Sequence, residues 1–346
     1  MSKLAADLSS VTTIGLDLAK HVFFVHAVDE AGKQVIAKAV RRRDLVSFFA
    51  SLPTCLVGME ACSSAHHWGR ELSALGHEIR LMPPAYVKPY VKRQKNDAAD
   101  AAAICEAVTR PSMRFVTLRS IDNQAMLMRH KVRETLVRQR TQVLNSLRGH
   151  LAEIGVIAAQ GPRNARALAN LLRAGDPSVP SDVTRALQPL VTQLDHLEDE
   201  ITRSDAEITK LAKADPVSNT LMSIPGIGPV TASAIAGSVG DPSSFTGPRQ
   251  FAAFLGLVPR QNSSGGKARL GRISKMGNSY LRKLLVVGAH SVLFHCKRHR
   301  DPLRAWAAKL LETKPFKLVA VALANKLARI VFAVMNTGST YRAAQA

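Results

Sequence analysis

The chain has 346 residues, 47 Lys+Arg against 26 Asp+Glu, a formal net charge of +21 and 46% hydrophobic content. That is enough apolar material for two or three cored domains and excludes a disordered polycation. An isoelectric point near 10.4 directs attention to a polyanionic partner, because a folded surface this basic attracts phosphate backbones.

The N-terminal MSKLAADLSS has no apolar stretch of signal-peptide type. A first strand is expected at 12–18, its hairpin partner at 22–28, and a third strand at 34–40 after the turn Asp29-Glu30-Ala31-Gly32. A helix follows at 45–51, then a buried strand at 55–59. A helix at 65–75 closes at Gly76, and another strand occupies 78–82. Pro83-Pro84 breaks the chain before a helical stretch near 87–93, and 97–108 reads as a further helix. The order β-β-β-α-β-α-β-α is that of a ribonuclease-H-like domain. Beyond Ile121 the strands stop. One apolar stripe runs through Ile121, Ala125, Met128, Val132, Leu136, Val143, Leu147, Leu151 and Ile154. A second runs through Leu187, Val191, Leu194, Leu197, Ile201, Ile208 and Leu211. Both have helical spacing. They suggest a long helical hairpin or coiled coil joined by a Gly/Pro-marked connection over 155–180, packed either on its own domain or on a second molecule.

After Asp215-Pro216 the chain is mostly helical, with many glycines and a basic stretch from Arg260 to Arg282. The late apolar runs 284–294 and 318–335 are too short, or broken by Lys326 and Arg329, to cross a bilayer. The four cysteines, Cys55, Cys62, Cys105 and Cys296, form no CxxC pair. Neither a zinc knuckle nor a disulfide framework is indicated, and scattered thiols suit a reducing cytoplasm. The expected organisation is an α/β domain at 10–118, a helical hairpin at 119–214, a helical C-terminal domain at 215–335 and a tail at 336–346.

In so basic a chain the carboxylates at strand and helix ends need a reason. Asp17 closes Ile14-Gly15-Leu16-Asp17, and Glu60 closes Leu56-Val57-Gly58-Met59-Glu60. In a ribonuclease-H-like sheet these strands are neighbours, so both acids would emerge at one end. Asp97 and Asp100 are three apart on one helix face. Four converging carboxylates would repel unless cations neutralised them, and two Mg²⁺ ions would do so while activating phosphodiester chemistry. Lys92-Arg93-Gln94-Lys95 would add phosphate-binding charge alongside. Each acid also has an ordinary explanation: Asp17 as strand-end turn chemistry, Glu60 as the partner of a surface arginine, Asp97 as a helix N-cap with Asp100 favourably placed in the first turn.

Two segments of the C-terminal part suit DNA. Ile224-Pro225-Gly226-Ile227-Gly228-Pro229-Val230-Thr231-Ala232 resembles the hairpin of helix-hairpin-helix modules, in which glycines such as Gly226 and Gly228 let backbone N–H groups reach a phosphate. A plain Pro/Gly turn is the alternative. Then Gly256-Leu257-Val258-Pro259-Arg260-Gln261-Asn262-Ser263-Ser264-Gly265-Gly266-Lys267-Ala268-Arg269-Leu270-Gly271-Arg272 places two serines on an adaptable loop among Arg260, Lys267, Arg269 and Arg272, with Lys275, Asn278 and Arg282 following. It is not a Walker A loop. A hydroxyl amid cations suits attack on a phosphodiester.

Taken together, IGLDLAK, VGMEAC and KNDAADA in the first half, and IPGIGPVTA and GLVPRQNSSGGKARLGRISKMGNSYLRKLL in the second, resemble the transposases of the insertion-sequence one-ten family, also called DEDD transposases. The resemblance covers nearly the whole chain. It implies a RuvC-like N-terminal domain whose metal-binding acids are Asp17, Glu60, Asp97 and Asp100, with Mg²⁺ or Mn²⁺ as cofactor. It also implies a nucleophilic serine in the Ser-Gly step, Ser264, with Ser263 one residue away. DNA cleavage and rejoining through a phosphoserine linkage would follow, guided by a structured RNA from the element. The partners implied are double-stranded DNA, that RNA, and further copies of the chain as a dimer or tetramer, in a bacterial cytoplasm, on the nucleoid when acting. No membrane partner is expected. The 5% aromatic content favours backbone contacts over base stacking. Two other readings stand beside this one: a metal-only nuclease or junction resolvase using water, and a non-enzymatic helix-hairpin-helix DNA binder.

Overall fold

The structure, a computed structural model, describes residues 8–92, 96–159, 161–267, 269–296 and 301–342. Arg93-Gln94-Lys95, the first seven residues, Ala268 and the last four residues, on all of which sequence expectations fall, lie outside these. The chain divides into two compact units, Met1–Ser120 and Ile121–Ala346.

The first unit is mixed α/β. Strands β1 (Thr13–Asp17), β2 (Val22–Val28), β3 (Gln34–Arg41), β4 (Leu56–Glu60) and β5 (Glu78–Met82) form one sheet in the order β3-β2-β1-β4-β5. The first two pairings are antiparallel and the last two parallel. Helices α1 (Leu45–Ala50), α2 (Ala65–Ala74), α3 (Pro84–Val87) and α4 (Asp97–Val108) complete it. The expected element order holds throughout. One expectation fails locally: the helix near 87–93 is instead the single turn α3 followed by a 3-10 turn at Lys88–Tyr90. Pro84 starts the helix early, and Pro89 cannot donate the next helical hydrogen bond.

Helix α4 positions the acidic edge. Its residues are mostly alanine, and the sheet meets it with glycine. A Cβ on Gly15 would lie 2.1 Å from the Ala101 carbonyl oxygen and 2.4 Å from the Cys105 nitrogen, and one on Gly58 would lie 2.8 Å from Val108 Cβ. The glycines of Ile-Gly-Leu-Asp and Val-Gly-Met-Glu therefore let a helix backbone lie directly on the strands. Ile14, Leu16, Val57 and Met59 fill the core on the other side.

The second unit is helical: α5 (Ile121–Glu153), α6 (Pro162–Ala174), α7 (Ser181–Ala214), α8 (Pro216–Leu221), α9 (Pro229–Val239), α10 (Pro248–Phe254), α11 (Ser279–Phe294), α12 (Pro302–Leu311) and α13 (Phe316–Thr337). A two-stranded antiparallel ribbon, β6 (Pro259–Gln261) and β7 (Leu270–Ile273), interrupts it. The two long stripes form α5 and α7 as expected. Their connection does not stay irregular. Ala165, Leu168, Ala169 and Leu172 recur at helical spacing and pack α6 into one core with Val143, Leu147 and Leu151 of α5 and Val191 and Leu194 of α7, and Gly175 ends the helix in a left-handed turn. The Gly/Pro punctuation had hidden that stripe.

The late apolar run also differs from expectation. It forms α13, 22 residues long, which by length and composition alone could cross a membrane. Its apolar face is buried in the C-terminal core through Val319, Leu323, Leu327 and Val331, and Lys326 sits 4.3 Å from the Trp306 ring. All four cysteines are unpaired.

Candidate active site

The expected site residues fall into two groups, one in each unit. The first is the acidic edge. β1 and β4 run parallel with Leu16 opposite Met59, so Asp17 and Glu60 are the next residues outward on adjacent strands, about 4.8 Å apart in the sheet. Both are half-buried, and neither residue is without an interaction partner. Helix α4 runs antiparallel to β1. Cys105 Sγ reaches the Thr13 carbonyl at 3.8 Å, Ala101 lies over Gly15, and the first turn with Asp97 and Asp100 lies toward the Asp17 end.

The N-cap of α4 is Asn96, whose Oδ1 accepts from the Ala99 N–H at 2.8 Å. Capping therefore does not explain Asp97. Asp97 is exposed and Asp100 half-buried, and both sit in the positive field of the helix N-terminus, which favours carboxylates. The donors suit a hard divalent cation in kind, being all oxygen and gathered at one sheet edge. They do not close around a point: among the described residues no three His, Cys, Asp or Glu side chains stand close enough to hold one ion. The expected convergence is thus an edge with Asp17 and Glu60 side by side, not a finished cluster.

The second group is the serine segment, and here the adaptable loop is replaced by a β-hairpin. Asn262 N–H donates to the Arg269 carbonyl at 2.9 Å, and Lys267 N–H to the Ser264 carbonyl at 3.1 Å. Gly265 and Gly266 have φ of +56° and +75°, so Ser264-Gly265-Gly266-Lys267 is a two-residue turn in which both central positions need glycine. The two serines separate in role. Ser263 Oγ accepts the Arg269 N–H at 3.1 Å and helps close the ribbon. Ser264 stands exposed at the tip, and its hydroxyl has no hydrogen-bond partner among the described residues. Lys267 stands across the turn from it, Arg269 lies next along the same strand and Arg272 nearer the root of the ribbon; all three are exposed, with no carboxylate partner among the described residues.

The root of this hairpin is rigid. A Cβ on Gly277 would lie 1.9 Å from the Phe254 carbonyl oxygen, and one on Gly256 2.1 Å from that of Met276, so the chain leaving α10 and the chain entering α11 cross at backbone contact. Three residues expected to touch DNA also hold this root. Arg282 Nη1 donates to the carbonyls of Leu255 and Met276 at 2.9 and 3.1 Å. Asn278 Oδ1 caps α11, accepting from the N–H groups of Tyr280 and Leu281 at 3.1 Å. Arg260 donates to the Ser274 carbonyl at 3.3 Å. Lys275 takes φ of +55° at the same crossing and is exposed.

The Pro/Gly segment does join two helices, α8 and α9. Its glycines also divide in role. Gly226, at φ +83°, abuts Gly288 of α11, where a Cβ would lie 2.7 Å from the Gly288 oxygen. Gly228 is open to solvent immediately before α9. The structure thus gives Gly226 a packing role and leaves Gly228 available to a ligand. No sequence signal marked Ser263 as a hairpin fastener, because its partner Arg269 is set by strand register.

Comparison with known proteins places the chain among transposases. A family model described as "Transposase IS116/IS110/IS902 family" matches residues 218–304, and the IS110-type DEDD model, described as "Transposase", matches residues 14–156. The chain is 48% identical over 335 residues to the "Probable family 20 transposase" of Pseudomonas aeruginosa, covering 96% of this chain and 99% of the relative. It is 40% identical over 341 residues to the "Transposase for insertion sequence element IS1111A" of Coxiella burnetii, covering 98% and 94%. A shorter similarity, 33% over 148 residues and 41% of this chain, is to the "Pilin gene-inverting protein" of Moraxella bovis.

Proposed function

We propose, from the premise that this chain belongs to the IS110/IS116/IS902 family of insertion-sequence transposases, that it moves DNA by cutting and rejoining strands through Ser264. The family makes it a DNA transposase. The observation that carries the serine reading is the hairpin tip, where an exposed hydroxyl without an internal partner stands across the turn from Lys267, with Arg269 next along the same strand, while its neighbour Ser263 is held in the ribbon.

The step balances without an outside energy source. Ser264 Oγ forms a bond to phosphorus as the bond from phosphorus to one sugar oxygen breaks. The hydroxyl proton passes to solvent, and the departing sugar oxygen takes one up. Attack by a sugar hydroxyl of another strand reverses this and restores the serine, so one phosphodiester is exchanged for another. The nearby cations stabilise the charge that builds on the phosphate oxygens. A relative named for inverting a gene acts in a reaction that must rejoin what it cuts, which suits a stored phosphoserine bond better than hydrolysis.

On this reading the first unit is a RuvC-like domain, supported by its strand order, and Asp17, Glu60, Asp97 and Asp100 would hold the divalent cation, Mg²⁺ or Mn²⁺. When bound, such an ion offsets charge at the reacting phosphate. The α8–α9 segment would serve as a helix-hairpin-helix grip on DNA backbone through the Gly228 end, and an element-encoded RNA would supply sequence choice by base pairing. Assembly would use α5, where Ile121, Met128 and Val132 are 63%, 62% and 56% exposed. The groove containing Met128 and Val132 is edged by Arg129, Glu200, Arg203 and Glu207, a mixed-sign rim that suits a second copy of the same surface.

The test is a suicide DNA substrate incubated with full-length protein and divalent metal. A covalent protein–DNA adduct is expected for the natural protein and for Ser263→Ala, and none for Ser264→Ala. An adduct persisting in Ser264→Ala, or cleavage that yields only hydrolysed ends, overturns the reading in favour of another nucleophile or of water.

A further inference from the structure

A buried polar chain in the second unit takes no part in the reaction as described. His130 of α5 is 2% exposed. Its Nδ1 lies 3.1 Å from Tyr280 Oη, and its Nε2 3.0 Å from Ser233 Oγ. The ends of the chain fix the direction of each hydrogen bond. Ser233 donates to the Pro229 carbonyl at 2.7 Å, so its oxygen is left to accept from His130 Nε2–H. Nδ1 is then the bare nitrogen and accepts from the Tyr280 hydroxyl. Beyond Tyr280 stands Arg133, whose positive charge acts on the phenol and whose guanidinium is held by the Asp205 carboxylate of α7. Burial, with the positive charge of Arg133 second, lowers the imidazole pKa to about 4. Near neutral pH the ring is therefore uncharged, and one tautomer satisfies both neighbours.

Two members of this chain, Tyr280 and Ser233, belong to the helices that begin at the segments facing the DNA in the proposed reaction. Tyr280 lies in the first turn of α11, two residues after the cap Asn278 and two before Arg282, which clamps the Leu255 and Met276 carbonyls at the hairpin root. Pro229 opens α9 directly after the exposed Gly228. The imidazole of the long helix α5 thus touches the first turn of α11 directly, through Tyr280, and reaches the first residue of α9 through Ser233, which hydrogen-bonds the Pro229 carbonyl.

We infer that His130 is a positioning residue that ties the root of the Ser264 hairpin to the N-terminal end of α9, holding the two phosphate-facing segments at one spacing. The inference rests on the serine reading above for its effect on rate, though not for its effect on structure. A ring that fixes both donors sets where the serine stands relative to a backbone gripped at Gly228. A displacement of roughly 1 Å between nucleophile and phosphate is enough to slow a reaction by about 10²-fold.

The experiment uses the full chain with His130→Phe, His130→Gln and Tyr280→Phe, a suicide DNA substrate at saturation, and amide hydrogen exchange followed over residues 224–232 and 256–282. For His130→Phe the adduct rate is expected to fall on the order of 10²-fold while DNA affinity stays within about threefold, and exchange is expected to rise in both segments together. His130→Gln, whose amide can both donate and accept, is expected to recover the rate to within about tenfold. An unchanged rate at saturation, or unchanged exchange in both segments, overturns the inference. If His130→Phe does not fold, Tyr280→Phe keeps the ring and removes one oxygen, and the same two null results overturn it there. If the natural protein forms no adduct, the serine reading fails, and the exchange arm still decides the role of His130.

Discussion

Asp17 and Glu60 end strands whose inner residues are buried, whereas every described residue from Pro259 to Lys267 is exposed. The acidic edge is positioned by main-chain register: two parallel strands paired residue for residue, with a helix resting on Gly15 and Gly58. The serine is positioned at a distance, on a short ribbon with almost no core of its own, held by a tight crossing at its root. The contrast matches the two proposed tasks. Acids proposed to share a cation need a fixed edge. A proposed nucleophile that must reach a DNA phosphate needs exposure and gains its precision from whatever anchors its base.

That contrast can be broken from either side. The largest effect is expected at Gly15. In Gly15→Val the new side chain meets the Ala101 carbonyl and the Cys105 nitrogen, so α4 must lift from β1. A loss of about 3 kcal/mol or more in denaturant unfolding of the first unit is expected, and a change below about 1 kcal/mol would show that α4 is not seated there.

A pH effect follows next. His66 and His130 both have their pKa lowered to about 4, by burial first and by neighbouring arginines second. Unfolded, each would titrate near 6.5. The unfolded chain therefore binds more protons between those values, and the stability these groups contribute falls as pH drops from about 6.5 to about 4, with no further loss from them below that. Melting temperatures at pH 7.5 and 4.5 check this, since the drop should be smaller in His130→Phe than in the natural protein.

Smaller again is Ser263→Ala, which removes the hydrogen bond from the Arg269 N–H. About 1 kcal/mol of hairpin closure is expected to go, read as faster exchange at the Arg269 amide with adduct formation retained. The smallest is Lys267→Gln. Losing one phosphate contact should lower the slope of log affinity against log salt by about 0.9, and an unchanged slope would place Lys267 away from the DNA.

Much of the first unit was legible before its structure. β2, β5 and α4 were read at their observed bounds. Asp17 and Glu60 were correctly placed on neighbouring strands because parallel β1–β4 pairing follows from the element order. The closed four-acid cluster was not found, since sequence gives the edge but not the last few ångströms. In the second unit, local rules misled where two signals overlapped. Ser-Gly-Gly-Lys reads as a linker until strand pairing across it turns the glycines into a two-residue turn. The stripe of α6 lay behind flanking Gly and Pro. The charge and polarity of Arg282 and Asn278 are visible in sequence, while the carbonyls and amides they hold are not. His130 could not have been found at all: its partners are 103 and 150 residues away and carry no motif.

The most direct measurement is the position of the covalent bond itself. The suicide-substrate adduct would be digested with protease and nuclease and the modified peptide sequenced by mass spectrometry. A nucleotide phosphate on Ser264 is the result this account predicts. A phosphate on Ser263 or on any other side chain would contradict it, as would a reaction that cuts DNA to completion and leaves every peptide unmodified.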